Sequence, residues 1–234
     1  MIEEFLYDDG IGKVEYVSHM GDDLTIVNAA RVSLGEERDT LNAKDVKLIN
    51  YLVENKHTST LEHNVVTLRF TVPIFVARQH MRHRTWSYNE ISRRYTSEHI
   101  QFYVPAVLNK QHASNRQASD TDPVSHQSMN RYLFEAAYRN AHVAYKELLA
   151  NGVSREQARM ILPVNLYTEY YGTVNLNNLL KFIDLRADEH AQYEIQEVAL
   201  ACLNIASGLW PEAVKAWNEK KTQKPGINIL QERV

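Results

Sequence analysis

The sequence predicts an α+β fold: a helix-rich single domain around a small antiparallel or mixed sheet. Three observations carry that expectation. Apolar residues recur at helical spacing in segments spread along the whole chain. Runs of β-branched and aromatic residues that suit strands are few and short. The 234 residues allow one large domain or two small ones, and they show no internal repeat and no clean boundary, so 1–234 is read as one domain.

Taken in order, residues 13–20 alternate and suit a strand. Gly21-Asp22-Asp23 then reads as a turn and cap, with Leu24, Val27, Ala30 and Arg31 marking a helix to about Leu34. A second helix spans 44–54, with Val46, Ile49, Leu52 and Val53 on its apolar face. A polar loop over 56–63 precedes 65–72, the clearest strand in the chain. Pro73 suits the first position of the next helix. On that helix Ile74, Ala77 and Met81 share one face, and Gln79, Arg82 and His83 another.

Residues 109–127 are polar with almost no apolar anchor and read as a mobile loop. A long helix over 128–151 ends at Gly152. Ser154 and Gln157 have capping-box spacing for a short helix that carries Arg159 and stops before Pro163. Residues 165–174 read as a strand, and 175–186 and 190–209 as helices. Trp210-Pro211 is a break, and a short helix at 213–217 precedes a polar tail at about 220–234.

Composition narrows the function classes. Hydrophobic residues make up 44% and charged residues 24%, with a net charge of −3, which disfavours a general nucleic-acid binder. No apolar run approaches the ~20 residues that a bilayer needs. The acidic start, Met1-Ile2-Glu3-Glu4, lacks a signal-peptide layout. One cysteine allows no internal disulfide, and a cytoplasmic location is expected.

Residues 82–95 concentrate the chemistry: Arg82, His83, Arg84, Glu90, Ser92, Arg93 and Arg94, interleaved with Trp86, Tyr88 and Tyr95. Rigid guanidinium forks beside one acid suit a shaped anion site better than a diffuse basic face. There is no glycine from Glu36 to Asn151, and no glycine-rich phosphate loop elsewhere. A bound phosphate must therefore meet arginines, hydroxyls or a helix N-terminus.

Other candidates lie apart. Cys202 falls in an apolar stripe with Ile195, Val198, Ala199 and Ile205, which marks a buried, inert thiol. Arg186 shares a helical face with Leu179, Phe182 and Ile183. It projects into a partly buried space and needs an acceptor, and a structural salt bridge with Asp188 or Glu189 is the plain alternative to a ligand. His57, Ser59, Glu62 and His63 have no common metal-ligand spacing, and no metal is expected.

Arg82-His83-Arg84, seven residues and then Ser92, resembles the signature of flavin-dependent thymidylate synthases. The string Leu185-Arg186-Ala187-Asp188, continued by His190-Ala191-Gln192, is similar to a second family string. So are Gln157-Ala158-Arg159 with Leu162-Pro163, and His57-x-Ser59-x-x-Glu62-His63. Thr60 and Leu61 stand where the family usually has Pro-Phe. At 177 and 181 the family often has arginine and asparagine, where this chain has Asn177 and Lys181. The resemblance runs in blocks from His57 to about Ile195.

The resemblance implies reductive methylation of dUMP to dTMP, with methylenetetrahydrofolate as carbon donor and NADPH as reductant through FAD. It implies a homotetramer with shared active sites. It places Gln79, Arg82, Glu90, Ser92, Arg94 and Arg159 on dUMP, with Gln79, Ser92, Arg94 and Arg159 at the phosphate. Arg186 is the catalytic residue, lying against the uracil, where a fixed cation stabilises negative charge on the ring. FAD would meet His57, Ser59, Arg82, His83, Arg84 and Glu90. It would also meet Asn175, Asn177, Lys181 and His190. Two other classes share some of these features: an RNA- or nucleotide-binding module built on the arginine–aromatic stretch, and a different flavoprotein reductase.

Overall fold

Two strands, Val65–Pro73 and Tyr167–Asn175, pair antiparallel over their whole length, from Val65 opposite Asn175 to Pro73 opposite Tyr167. The computed structural model in which they form the sheet centre describes residues 2–222. The part of the expected polar tail from 223 onward lies outside the described residues. In chain order the elements are β1 (Glu3–Phe5), β2 (Lys13–Met20), α1 (Asp23–Arg31), α2 (Ala43–Glu54), β3 (Val65–Pro73) and α3 (Ile74–His80). They continue with β4 (Ser87–Glu90), β5 (Asn109–Gln111), β6 (Ser119–Pro123), α4 (Gln127–Ala150) and α5 (Arg155–Ala158). The last are β7 (Tyr167–Asn175), α6 (Leu176–Arg186), α7 (Tyr193–Leu209) and α8 (Pro211–Thr222).

The sheet order is β1-β2-β3-β7-β4, and every neighbouring pair is antiparallel. Period-two alternation explains its two faces. Along β3, Val66, Leu68, Phe70 and Val72 are buried, while Val65, Thr67, Arg69 and Thr71 are partly exposed on the other face. On that outer face Arg69 makes a bidentate pair with Glu15 at 2.8 and 2.6 Å. The inner face packs into one core with Leu179, Phe182 and Ile183 of α6 and with Ile195, Val198 and Cys202 of α7. Burying each such aliphatic side chain contributes about 1.5–3 kcal/mol.

Several expectations need correction. Pro73 is not the first helical residue: it ends β3 and caps α3 with extended backbone, φ −61° and ψ 148°. That helix stops at His80, so a turn, not a helix face, delivers Arg82 and His83. The first helix ends at Arg31, and a 3-10 turn, Val32–Leu34, follows it. The 56–63 loop contains a 3-10 helix, Thr58–His63. The 109–127 stretch holds the β5–β6 ribbon, whose base Gln127 ties through bonds to Leu108 and Val124. Ser154 makes no side-chain cap bond, so the expected capping box is absent. The last long helix starts at Tyr193 rather than 190, and α8 runs to Thr222 rather than 217. Gly152 does close α4, at φ +83°.

Candidate active site

The signature stretch leaves α3, makes a short turn and returns as β4 on the free edge of β7. Glu90 pairs with Tyr170, and the Ile91 N–H extends the ladder to Glu169. Immediately beyond, the N–H groups of Tyr95 and Thr96 both return to the Ser92 carbonyl, which folds 92–96 into a tight turn. This places Glu90 and Ser92 on the wall of a cleft of about 270 Å³. Ile74, Leu162 and Leu166 give it apolar lining, and Tyr167 and Thr168 enter from the start of β7.

Arg159 closes another side of the cleft from the 3-10 turn Arg159–Ile161. Its Nε donates to the Glu156 carbonyl at 3.4 Å. Arg94, one residue past Arg93 on the signature turn, reaches the Glu156 carboxylate at 3.6 Å. Four residues that the sequence singles out for one ligand, Glu90, Ser92, Arg94 and Arg159, are thus neighbours in space. Thr168, which sequence reasoning missed, donates to the Glu90 carboxylate at 2.6 Å. Its only signal was an inward position on a strand.

Arg186 forms a second group at the end of α6. Its Nε donates to Nε2 of His83 at 3.1 Å, and its Nη2 to the Gln79 carbonyl at 3.2 Å. The Gln79 side chain is engaged by Gln192 at 2.6 Å. Neither Asp188 nor Glu189 is the partner: Asp188 accepts the His190 N–H, and Glu189 lies beside the exposed His190 ring. Two neutral acceptors hold this half-buried cation instead. Burial, and then the Arg186 charge, hold the His83 imidazole down at about 4, against an ordinary 6.5. His83 is therefore neutral at pH 7, with its proton on Nδ1 and Nε2 free to accept.

The remaining candidates are more dispersed. His57 and Ser59 are exposed around the 3-10 helix, and Lys181 is exposed on α6. Asn175 caps α6 by accepting from the Asn178 N–H at 2.9 Å. Asn177 is buried and donates to Glu62 at 2.7 Å. It therefore does not share an open face with Lys181. Arg82 and Arg84 are exposed, and neither makes an ion pair or side-chain hydrogen bond among the described residues. Within one chain Arg94 and Arg159 thus converge beside Glu156, whereas Arg186 is held at His83, the residue between the exposed Arg82 and Arg84.

Residues 15–212 match the family model described as thymidylate synthase complementing protein. A flavin-dependent thymidylate synthase of Thermosipho africanus is 43% identical over 209 residues, spanning 88% of this chain and 90% of the relative. The chain belongs to the flavin-dependent thymidylate synthase family. A Rickettsia conorii relative with the same description is 40% identical over 248 residues, covering 97% of this chain and 83% of that protein. Among solved structures, a UMP/dUMP methylase from Streptomyces cacaoi bound with 5-Br dUMP has a TM-score of 0.82. It is 34% identical, and the match covers 92% of this chain and 97% of that one. As a flavin-dependent thymidylate synthase, the chain offers no accessible thiol: Cys202 is buried in α7, and desolvation raises its pKa far above the usual thiol range.

Proposed function

We propose that this chain reductively methylates dUMP to dTMP. Methylenetetrahydrofolate gives the carbon, NADPH the reducing equivalents through bound FAD, and no cysteine acts as nucleophile. The observation that carries this is the cleft in which Glu90, Ser92 and Arg159 meet, with Arg94 at its side. Two guanidinium groups beside a serine hydroxyl suit a phosphate dianion, which would displace Glu156 from Arg94. Arg186, held by His83 and Gln79, supplies a fixed cation to the uracil ring, where negative charge makes ring carbon 5 nucleophilic.

The donor set also fits the cofactor. Arg82 and Arg84 are exposed cations with no carboxylate partner among the described residues, as an anionic dinucleotide requires, and Lys181, His57 and Ser59 add exposed donors. Bound FAD would supply the hydride chemistry; the protein's part is to orient ligands and place charge.

The complete site belongs, in this proposal, to a cytoplasmic homotetramer whose active sites are shared between subunits. Two observations support the assembly. Arg94 and Arg159 meet at Glu156, while Arg186 is held by different partners, His83 and Gln79. And α4, 24 residues long, buries only Tyr145, while Met129, Tyr132, Leu133, Phe134 and Val143 stay exposed. No helix among the described residues is long and apolar enough to cross a membrane.

The test is the fate of dUMP when the protein, methylenetetrahydrofolate and NADPH are mixed under low oxygen. A yellow protein that bleaches and yields dTMP supports the proposal. A yellow protein that oxidises NADPH and leaves dUMP intact is a different reductase. A colourless protein that binds RNA with steep salt dependence is the binding module.

A further inference from the structure

We propose that Arg93 is a positioning residue for the nucleotide cleft: it braces the wall that carries Ser92 and keeps a buried positive charge, unmatched by a carboxylate among the described residues, behind the phosphate end. This rests on the reading of the cleft as the dUMP site. The adjacent arginines of the signature turn have opposite fates. Arg94 is exposed, whereas Arg93 is only 9% exposed and lines the cleft from within.

The Arg93 guanidinium donates to three main-chain carbonyls: Glu98, His99 at 3.2 Å and Tyr167 at 3.4 Å. Glu98 and His99 lie on the connection that follows the signature, and Tyr167 opens β7. One side chain therefore ties the turn bearing Ser92 to two other segments. His99 has φ +53°, a left-handed conformation that costs a non-glycine residue about 1 kcal/mol or more unless its surroundings fix it. Arg93 fixes it by taking the carbonyls of both His99 and the residue before it.

The charge on Arg93 is not neutralised locally. The Glu98 side chain is 80% exposed and lies against the His99 ring. Glu90, the carboxylate that lines the cleft, is engaged by Thr168. No ion pair reaches Arg93 among the described residues. Burial lowers its pKa, yet a guanidinium stays protonated in any ordinary environment. Three carbonyl dipoles compensate it only in part, so an anion in the cleft gains attraction through a poorly screened medium.

The test uses flavin-loaded, full-length protein titrated with dUMP and with deoxyuridine, which lacks the phosphate. Arg93→Gln is expected to raise the dUMP Kd about tenfold and to leave the deoxyuridine Kd within about twofold. Arg93→Lys, which keeps the charge, is expected to bind dUMP within about threefold of wild type, with a lower thermal midpoint from lost carbonyl contacts. Equal losses for both ligands, or no loss with Gln, overturn the inference. If the Gln variant does not fold, Arg93→Lys decides: dUMP binding within about threefold of wild type with deoxyuridine binding unchanged supports the inference, and a larger or parallel loss overturns it. Wild-type protein that binds neither ligand removes the dUMP reading as well; wild-type binding with an unaffected Gln variant removes the Arg93 role alone.

Discussion

Arg186 donates its Nε–H to the Nε2 of His83 across 3.1 Å, joining the end of α6 to the signature turn over 103 residues of sequence. A hydrogen bond with one charged partner contributes about 1.5–3 kcal/mol, so the imidazole does much to aim the guanidinium. Arg186→Ala is expected to keep its flavin and to lose thymidylate formation. His83→Ala should lower kcat by about tenfold or more, with less change in the dUMP KM. His83→Gln, which still offers an acceptor, should recover part of that loss. Steady-state kinetics on flavin-loaded variants decide, and wild-type turnover in Arg186→Ala would remove the residue from the chemistry.

The same pair makes a pH prediction. His83 faces Arg186, the buried His80 and the Phe182 ring, so every charged neighbour opposes its protonation. Its folded pKa of about 4 lies below the ordinary 6.5. The unfolded chain therefore takes up the proton first as pH falls. The stability that His83 carries is complete above about 6.5 and is lost progressively from there down to about 4. His80, which burial pushes well below its ordinary value, adds a loss of the same sign. Urea midpoints between pH 7.5 and 4.5 should fall with pH, and His83→Gln should fall less steeply. An identical slope in wild type and variant would mean that folding does not shift the His83 pKa.

Cys202 is expected to be dispensable for turnover. It is fully buried, and its thiolate is disfavoured by that burial. Cys202→Ser should retain most activity while losing about 1–3 kcal/mol of stability, because a hydroxyl replaces a small apolar group in the core. A folded Cys202→Ser protein that makes no dTMP would restore a thiol mechanism.

The parts of this structure that the sequence announced are those in which local pattern and burial agree. The β-branched run of β3 and the stripe Ile195, Val198, Ala199, Cys202 on α7 are both buried as their periods require. Where tertiary pairing decides, the pattern was silent. Ser87–Glu90 carries no strand signal; it is a strand because β7 presents an open edge there. The β5–β6 ribbon is polar throughout, and its base is held by the Gln127 amide together with the Val124 N–H on the Leu108 carbonyl, which composition cannot reveal. The arginine-rich stretch was recognisable as a binding segment. Which way each arginine points depends on the turn around the Ser92 carbonyl, and so Arg93 and Arg94 could not be told apart.

Gly172 links core packing to the signature turn. It lies on β7 opposite Tyr88, and a Cβ there would stand 2.9 Å from Phe70 Cε2 and 3.1 Å from Trp86 Cε3. Trp86 stacks on Tyr88 with an interplanar angle of 6°, and the Tyr88 hydroxyl donates to the carbonyls of His80 and His83. Neither ring next to Gly172 has a flexible end that can swing away, so the strain must pass into the aromatic cluster and the turn. Gly172→Ala is expected to cost about 1–3 kcal/mol and to lower turnover along with stability. Gly208→Ala is the control: nothing lies within 4 Å of its Cβ position on α7, and helix propensity should make it neutral or stabilising by up to about 1 kcal/mol. Thermal midpoints of the two variants make the comparison, and a Gly172→Ala protein as stable and active as wild type would show that the ring cluster does not set the turn.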